Sequence, residues 1–370
     1  MQAPEKGRTD VEARIVEAVK ENGPRNVALI SRLTVVPVET VRYKLSRQLS
    51  SLGFRFHAEP NYGKLGLTLH WARLVFEPGF SDSASILLNR LNELGYLTYY
   101  ARVIPSGAYA CTFAMPRELT WDYRKLLDYV VELGVLARYE MEEVKFSQHY
   151  SFNPKYFNFR TGGWEVDWRE VERDSPHAEA LRPPSPPVAF DLQDLLLIKE
   201  LQISAVRHNV AIASKLGVAA PALGYHMRAH VEGKGLIDRY IVRWMQDVTK
   251  TLAHSVLLTR VVVRDLGEAQ LWRAHEAFGR IPFTWSVYAL KDDSYTATLC
   301  IPIEEAITTF DYLRRETEGF SERIAFEFIK LHDAKLFTIP YNMYQGRWVS
   351  GVDGLRHSVV GMIEERKRGT

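Results

Sequence analysis

Cysteine and long apolar runs are both scarce in this chain. Its 370 residues include only two cysteines, Cys111 and Cys300, which are too few for a disulfide framework or a thiolate metal site. No apolar stretch is long enough to span a bilayer, and the first ten residues are polar and charged, unlike a signal peptide. We therefore expect a cytoplasmic protein with no membrane partner.

The common catalytic motifs are also missing. The sequence has no Walker-type phosphate loop, no His-Glu-x-x-His helix and no nucleophile elbow. His149 and His332 occupy similar places in two parts of the chain, and each is more typical of a surface or core histidine than of a catalyst or ligand. The sequence therefore predicts no catalytic residue, no cofactor and no metal site.

The chain is rich in apolar residues, and its charges are unevenly distributed. Apolar residues make up 46% of the sequence, which is enough for several folded domains. The net charge is only +2 and predicts no partner by itself. Residues 25–64, however, carry an excess of five positive charges, whereas residues 74–145 carry an excess of three negative charges. Localised positive charge is typical of proteins that contact phosphate groups.

Residues 26–53 predict two short helices joined by a tight turn. The first helix covers residues 26–33, Pro37 opens the second, and Gly53 ends it. One face of the second helix is apolar. The opposite face carries Thr40, Tyr43, Lys44 and Arg47, with Arg42 beside them. Such a face suits the major groove of DNA, although an ordinary helical hairpin with a solvated basic face fits the pattern as well.

The flanking segments extend this unit to a winged helix-turn-helix. Residues 11–22 have the apolar spacing of a helix, and residues 54–63 alternate between apolar and polar side chains before a turn, as a strand does. Residues 67–144 then predict the order β-α-β-β-α-β. That order is typical of a ferredoxin-like sandwich, with helices on one face of an antiparallel sheet.

The second part of the chain repeats the first. Residues 209–240 align with residues 26–58 when one residue is deleted near the turn, and both segments begin with Asn-Val-Ala. The β-α-β-β-α-β order returns in residues 256–331, and the short tails NFRTGGW and NMYQGRW also correspond loosely. Internal similarity of this length indicates a duplication.

The predicted fold class is α+β, with two winged helix-turn-helix domains, each followed by a ferredoxin-like (βαββαβ) domain. A Pro-rich segment joins the two copies and predicts an extended linker. The predicted divisions are 8–66 for the first winged helix-turn-helix, 67–172 for the first ferredoxin-like domain with its tail, 173–188 for the linker, 189–250 and 251–350 for the second copy, and 351–370 for a charged C-terminal tail.

This order of domains resembles the Lrp/AsnC family of transcription regulators, here with the unit repeated in one chain. The resemblance rests on residues 26–53, the strand after them and the domain order. It implies a DNA-binding regulator in which the two βαββαβ units pair like a dimer made covalent. It also implies a small-molecule effector between these units and further assembly into homo-oligomers. No effector motif matches residue by residue.

Two other interpretations stay open. Siroheme decarboxylases look like relatives of the same regulators, and some are tandem fusions that act on a tetrapyrrole through histidine and other polar residues in the βαββαβ cleft. The corresponding region here offers His149, Tyr150 and His332, without a match to the decarboxylase pattern. The third interpretation is a ligand-sensing scaffold that has lost DNA binding.

The regulator interpretation makes double-stranded DNA the expected partner. In the first copy, the base-reading candidates are Thr40, Tyr43, Lys44 and Arg47, and the phosphate-contacting candidates are Arg42, Arg55, His57 and Lys64. In the second copy, the candidates are Tyr225, His226, Arg228 and Arg239. The second reading face has lost both of its strongly basic side chains. We therefore expect the first copy to dominate binding.

Overall fold

The computed structural model describes residues 10–174, 184–245 and 256–369. The predicted linker falls partly outside these ranges. The first described elements are short helices. The first helices are α1 (Val11–Asn22), α2 (Val27–Thr34) and a third helix made of α3 (Val38–Tyr43), a π-helical stretch (Lys44–Gln48) and α4 (Leu49–Ser51). The side chain of Asn26 caps α2, and Gly53 ends the third helix with a φ of 91°.

The rest of the first half alternates strands and helices. Its elements are β1 (Phe54–Pro60), β2 (Thr68–Phe76), α5 (Ala84–Glu93), β3 (Leu97–Ile104), β4 (Tyr109–Met115), α6 (Thr120–Glu132) and β5 (Leu136–His149). Its tail contains β6 (Phe157–Asn158), β7 (Gly163–Trp164) and α7 (Trp168–Arg173).

The second half repeats the same succession. Its helical unit contains α8 (Leu192–Ile203), α9 (Asn209–Leu216), α10 (Ala220–Tyr225), a π-helical stretch (His226–Glu232) and β8 (Ile237–Trp244). Then follow β9 (Val256–Val263), α11 (Glu268–Arg280), β10 (Thr284–Leu290), β11 (Tyr295–Pro302), α12 (Ala306–Glu316), β12 (Ile324–Leu336) and α13 (Val352–Gly369). No helix in the described ranges has both the length and the apolar character needed to cross a membrane.

Eight strands, four from each half, close into one barrel in the order β10-β11-β9-β12-β3-β4-β2-β5. The two halves join twice, because β5 pairs with β10 and β12 pairs with β3, both antiparallel. The expected pairing of the two repeated units within one chain is therefore confirmed. Closure leaves these sheets without a free edge, so the barrel ties both halves together.

Outside the barrel, β1 and β8 form a two-stranded antiparallel sheet with Phe54 opposite Trp244. Side chains alternate between its faces. The apolar face packs on the helices and carries Phe54, Phe56, Val242 and Trp244. The polar face carries Arg55, His57, Glu59, Arg239 and Arg243. Each predicted wing strand thus pairs with the other copy, and neither β1 nor β8 projects as the free wing that we expected for DNA contact.

Each half also sends its tail to the other half. Nε1 of Trp168 in α7 donates to Oε2 of Glu305 at 2.8 Å, and its ring packs on Tyr312. The helix α13 lies on α5 and α6 of the first half. Its buried face carries Val352, Leu355, Val359 and Met362. The predicted charged tail of residues 351–370 thus contains a helix whose apolar face packs on the first half.

Candidate functional site

A layer of charged side chains lies between the polar face of the β1–β8 sheet and one end of the barrel. The sheet contributes Glu59 from β1 and Arg239 and Arg243 from β8. The barrel contributes His149 at the end of β5 and Tyr288 in β10. We call these five residues the barrel-end cluster.

Glu59 is the centre of the barrel-end cluster. Its carboxylate accepts a hydrogen bond from Nδ1 of His149, and its second oxygen lies 3.3 Å from Nε of Arg239. Burial by itself would raise the pKa of Glu59, but His149, Arg239 and Arg243 together hold that pKa below its ordinary value. The carboxylate is therefore an anion that orients the imidazole and balances nearby cations.

The ring of His149 lies between two partners. A carboxylate can only accept, so Nδ1, which faces Glu59, carries a proton. Nε2 lies 3.1 Å from the hydroxyl of Tyr288. Burial raises the pKa of Tyr288, so its hydroxyl stays protonated near neutral pH. The imidazole is thus held in one orientation and can pass a proton at Nε2.

Arg243 provides a half-buried cation beside this pair. It donates to the backbone carbonyls of Tyr150 at 3.3 Å and Trp285 at 2.9 Å, and its guanidinium lies 5.2 Å from the centre of a Trp285 ring. Burial lowers the pKa of Arg243 to about 10, which still leaves it charged near neutral pH. Burial also lowers the pKa of His57, whose Nδ1 lies 2.6 Å from the carbonyl oxygen of Gln202.

Another arginine, Arg260, is buried and extends the positive charge into the barrel. Its Nε donates to Thr296 at 3.1 Å, and its guanidinium lies over the Trp71 ring at 5.0 Å. Burial lowers the pKa of Arg260, while its neighbours Tyr99, Glu327 and Tyr288 favour the cation. Among the described residues, Nη1 of Arg260 and Nε1 of Trp71 have no hydrogen-bond partner. Both donors are therefore available to an anionic ligand group.

A cleft of about 610 Å³ opens between the two halves, beside Leu65. Its walls carry the aromatic side chains Phe190, Tyr344 and Trp348, together with Arg347 and Glu118. The corresponding corner around Trp164 is different, since a space of only about 10 Å³ is left there. The rings that pack on Trp164 are Phe152, Phe157, Trp244 and Phe283.

Several predicted DNA contacts of the first copy are used inside the fold. Nζ of Lys44 binds Glu12 and lies 2.9 Å from Oε1 of Gln48. Nζ of Lys64 donates to the carbonyl of Lys234 at 2.7 Å, and His57 is half-buried in β1, with Nδ1 beside the carbonyl of Gln202. The remaining candidates stay at the surface. Thr40 is half-buried, and the exposed ones are Arg42, Tyr43, Arg47 and Arg55. Arg42 forms an ion pair with Glu39.

The predicted contacts of the second copy divide in the same way. Tyr225 and Arg228 are exposed, but Nδ1 of His226 lies 2.8 Å from Oδ1 of Asp194, and Arg239 faces Glu59. The physical reason is common to both copies. Cations that a local pattern assigns to solvent here compensate carboxylates or carbonyls from distant segments.

Sequence reasoning missed most of the site. It named His149 but took it for a surface or core histidine, and it left out Glu59, Tyr288 and Arg260. One signal was available, because Arg260 interrupts the otherwise apolar strand VLLTRVVV. A lone arginine in such a strand indicates a buried charge with a specific role.

Comparisons with known proteins were made for the whole chain. No protein-family model and no curated protein sequence matches it. A solved structure of the siroheme decarboxylase NirDL with an iron-uroporphyrin III analogue matches with a TM-score of 0.56 and 11% identity, covering 96% of this chain and 100% of that chain. A second structure of NirDL matches with a TM-score of 0.56 and 10% identity, covering 95% and 99%. An AsnC-family regulatory protein from Pyrococcus furiosus, at 10% identity and a TM-score of 0.29, covers 37% of this chain and 89% of its own.

The comparisons correct the main interpretation. At these identities they show the fold alone, and the fold that spans the chain is shared with an enzyme, siroheme decarboxylase NirDL. The resemblance to Lrp/AsnC regulators holds for part of the chain only. The prediction of a DNA-binding transcription regulator, with double-stranded DNA as its main partner, is therefore wrong, and the expectation of a protein without enzymatic activity is not supported.

Proposed function

We propose that this protein is a tetrapyrrole-modifying enzyme of the siroheme decarboxylase type, which removes CO₂ from carboxylate side chains of an iron tetrapyrrole. The observation that carries the proposal is the barrel-end cluster, in which a carboxylate-bound imidazole lies beside two half-buried guanidinium groups. The likeness in fold to NirDL, whose structure holds an iron-uroporphyrin III analogue, supports the same substrate class.

The reaction needs a group that can deliver a proton. When a –CH₂–COO⁻ side chain loses CO₂, the electron pair of the broken C–C bond stays on carbon, and one proton converts it to –CH₃. His149 is the proposed donor at Nε2, with Glu59 holding its ring in place. Tyr288, 3.1 Å from that nitrogen, is the proposed route for the next proton.

The substrate's carboxylates need cations in a place that excludes water. Arg260 is buried and Arg243 is half-buried, and guanidinium groups bind carboxylates well because they can donate two parallel hydrogen bonds. The free Nη1 of Arg260 and Nε1 of Trp71 are the proposed donors for one carboxylate. Both arginines are therefore assigned to orientation of the substrate, not to proton transfer.

We also propose that the predicted divisions at 8–66, 67–172, 189–250 and 251–350 are two winged helix-turn-helix units and two ferredoxin-like units, joined as a covalent pseudo-dimer. The exchanged tails and the β1–β8 pair support this view, since both connect equivalent parts of the two halves. In this proposal the two winged helix-turn-helix units cover one end of the barrel, and their strands β1 and β8 place Glu59, Arg239 and Arg243 there.

Anaerobic titration of the purified chain with siroheme, followed by absorbance and by mass spectrometry of the product, tests the function. We expect a saturable spectral change and a product that has lost CO₂. The variant His149→Gln should bind the tetrapyrrole but decarboxylate it about 100- to 1,000-fold more slowly, which is typical of the loss of a general acid. The control variant His332→Gln, which changes an exposed histidine in β12, should react like the parent.

Two results would remove the proposal. One is the absence of any spectral change with siroheme or with iron-uroporphyrin III. The other is a His149→Gln variant that releases CO₂ as fast as the parent, since the barrel-end cluster would then have no part in the reaction.

A further inference from the structure

Four potential metal ligands lie together in the second helical unit, away from the barrel-end cluster. Asp191 and Asp194 stand at the start of α8, and His226 and His230 lie one turn apart in the π-helical stretch after α10. One donor atom from each residue falls within 4.8 Å of all the others. We call these residues the His–Asp cluster.

The contacts within the His–Asp cluster centre on one carboxylate. Nδ1 of His226 lies 2.8 Å from Oδ1 of Asp194, and Nδ1 of His230 lies 3.0 Å from its Oδ2. Asp191 stands at the rim, with Oδ1 3.9 Å from Nδ1 of His226. Asp194 is fully buried, whereas 52% of the Asp191 side chain is exposed. An ion can therefore reach the cluster from the side of Asp191.

The local sequence orients these groups before any ion binds. Asp191 caps α8 by accepting the backbone N–H of Asp194 at 3.0 Å, and Asp194 accepts the N–H of Asp191 at 3.0 Å. These bonds leave further lone pairs on both carboxylates. His226 and His230 are four residues apart and so lie on one face of their helix, which is the spacing of paired zinc-binding histidines.

The first half shows the same position with different chemistry. An offset of 182 residues relates the two positions: Glu12 corresponds to Asp194, Lys44 to His226 and Gln48 to His230. There, Nζ of Lys44 and Nε2 of Gln48 both bind Oε1 of Glu12. Although burial works in the opposite direction, the hydrogen bonds from Asp10 and Lys44 lower the pKa of Glu12 to about 2. A lysine thus supplies the positive charge that the buried carboxylate needs.

The second half has no such lysine. Among the described residues, the ion-pair partners of Asp194 are the two imidazoles, and the second carboxylate, Asp191, lies beside them. A buried carboxylate without a compensating cation is costly. A divalent cation held by two imidazole nitrogens and two carboxylates supplies that charge, and the charges then balance.

We propose that the His–Asp cluster binds one divalent transition-metal ion of the Zn²⁺ class, with Asp194, His226 and His230 as ligands and Asp191 as the fourth. Mixed nitrogen and oxygen donors in a four-coordinate set suit Zn²⁺, whereas Mg²⁺ and Ca²⁺ prefer oxygen ligands alone. The ion ties the start of α8 to the π-helical stretch. The site stabilises the second helical unit and does not depend on the tetrapyrrole proposal.

Equilibrium dialysis of the full chain against Zn²⁺ or Co²⁺ alone, followed by metal analysis, tests this site. We expect one ion per chain and, with Co²⁺, the visible absorption bands of a four-coordinate complex. The double variant His226→Lys/His230→Gln installs the residues of the first half and keeps a cation beside Asp194. It should bind at least about 100-fold more weakly, since even indirect ligand supports contribute up to that factor.

The control for this experiment is His208→Gln, an exposed histidine of the same helical unit, which should bind metal like the parent. Metal should also raise the melting temperature of the parent and of the control, but not of the double variant. The proposal is overturned if the parent binds neither ion, as a purely hydrogen-bonded His–Asp cap predicts, or if the double variant binds as tightly as the parent. If circular dichroism shows the double variant unfolded, His230→Gln alone takes its place in the comparison.

Discussion

The two halves of this chain share one succession of helices and strands but differ in the charged groups placed on it. In the first half, a lysine and an amide bind Glu12, whereas two imidazoles surround Asp194 at the same place in the second half. The backbone is alike because the same apolar spacing builds it twice. Polar positions next to that backbone are free to differ, provided that each buried charge finds a partner.

The histidine at the end of β5 and the histidine in β12 show the same contrast. His149 lies between Glu59 and Tyr288, whereas His332 is exposed. The difference arises from the β1–β8 sheet. Glu59 lies in β1, whereas the residue 182 positions later, Ile241 in β8, is apolar. The first half therefore supplies the carboxylate and imidazole of the barrel-end cluster, and the second half supplies Arg239, Arg243 and Tyr288.

The largest effect on stability should come from Glu59→Ala. The substitution leaves Arg239 and Arg243, which are half-buried, without the counter-charge of Glu59, so we expect the free energy of unfolding to fall by about 3–5 kcal/mol. Urea denaturation measures this. The surface pair of Glu39 and Arg42 is the control, and Glu39→Ala should change stability by less than about 0.5 kcal/mol. Similar values for both variants would contradict a buried, charge-dependent cluster.

Replacing either tail tryptophan should lower the free energy of unfolding by a smaller amount than Glu59→Ala does. Trp164→Ala removes a ring from a filled aromatic corner, and we expect a loss of about 3–4 kcal/mol. Trp348 borders the open cleft and has fewer contacts to lose, so Trp348→Ala should cost about 2–3 kcal/mol. The exposed Trp121 serves as the control in the same denaturation series. A greater loss at Trp348 would mean that the cleft is closed in solution.

The smallest effect should appear as a difference in acid stability. In the folded state the pKa of Glu12 is lowered to about 2, so its contribution is fully present above the unfolded value near 4.5 and disappears as the pH falls toward 2. Glu12→Gln should remove about 1–2 kcal/mol of this dependence, after allowance for screening by water. Unfolding curves at several pH values measure it. If parent and variant show parallel pH profiles, the Lys44 pair contributes nothing.

Much of the local structure could be predicted from the sequence. The helix at Val11–Asn22 has the predicted bounds, and the helix predicted over residues 26–33 lies at Val27–Thr34. These elements are set by apolar periodicity over about ten neighbouring residues, which a single sequence displays. The duplication also lies in the sequence itself, and with it the expectation that the two repeated units would meet.

The partners of the charged side chains could not be predicted in this way. Lys44 and His226 stand on helix faces that a local pattern assigns to solvent, yet each faces a carboxylate 32 residues earlier in the chain. Glu59 and His149 are 90 residues apart and come together only because β1 pairs with β8 over the barrel end. Contacts of this kind depend on how the elements pack, so they leave no periodic signal.

The sequence alone therefore determined the elements, their order and their duplication, since each depends on neighbours along the chain. The tertiary structure decided which half each strand and tail pairs with, and which charges are buried. In that structure β5 pairs with β10 and β12 pairs with β3, and the two expected wing strands, β1 and β8, pair with each other at the end of the barrel. The physical reason is that a buried charge requires a partner in space, and partners in space are chosen by the closed barrel and not by distance along the chain.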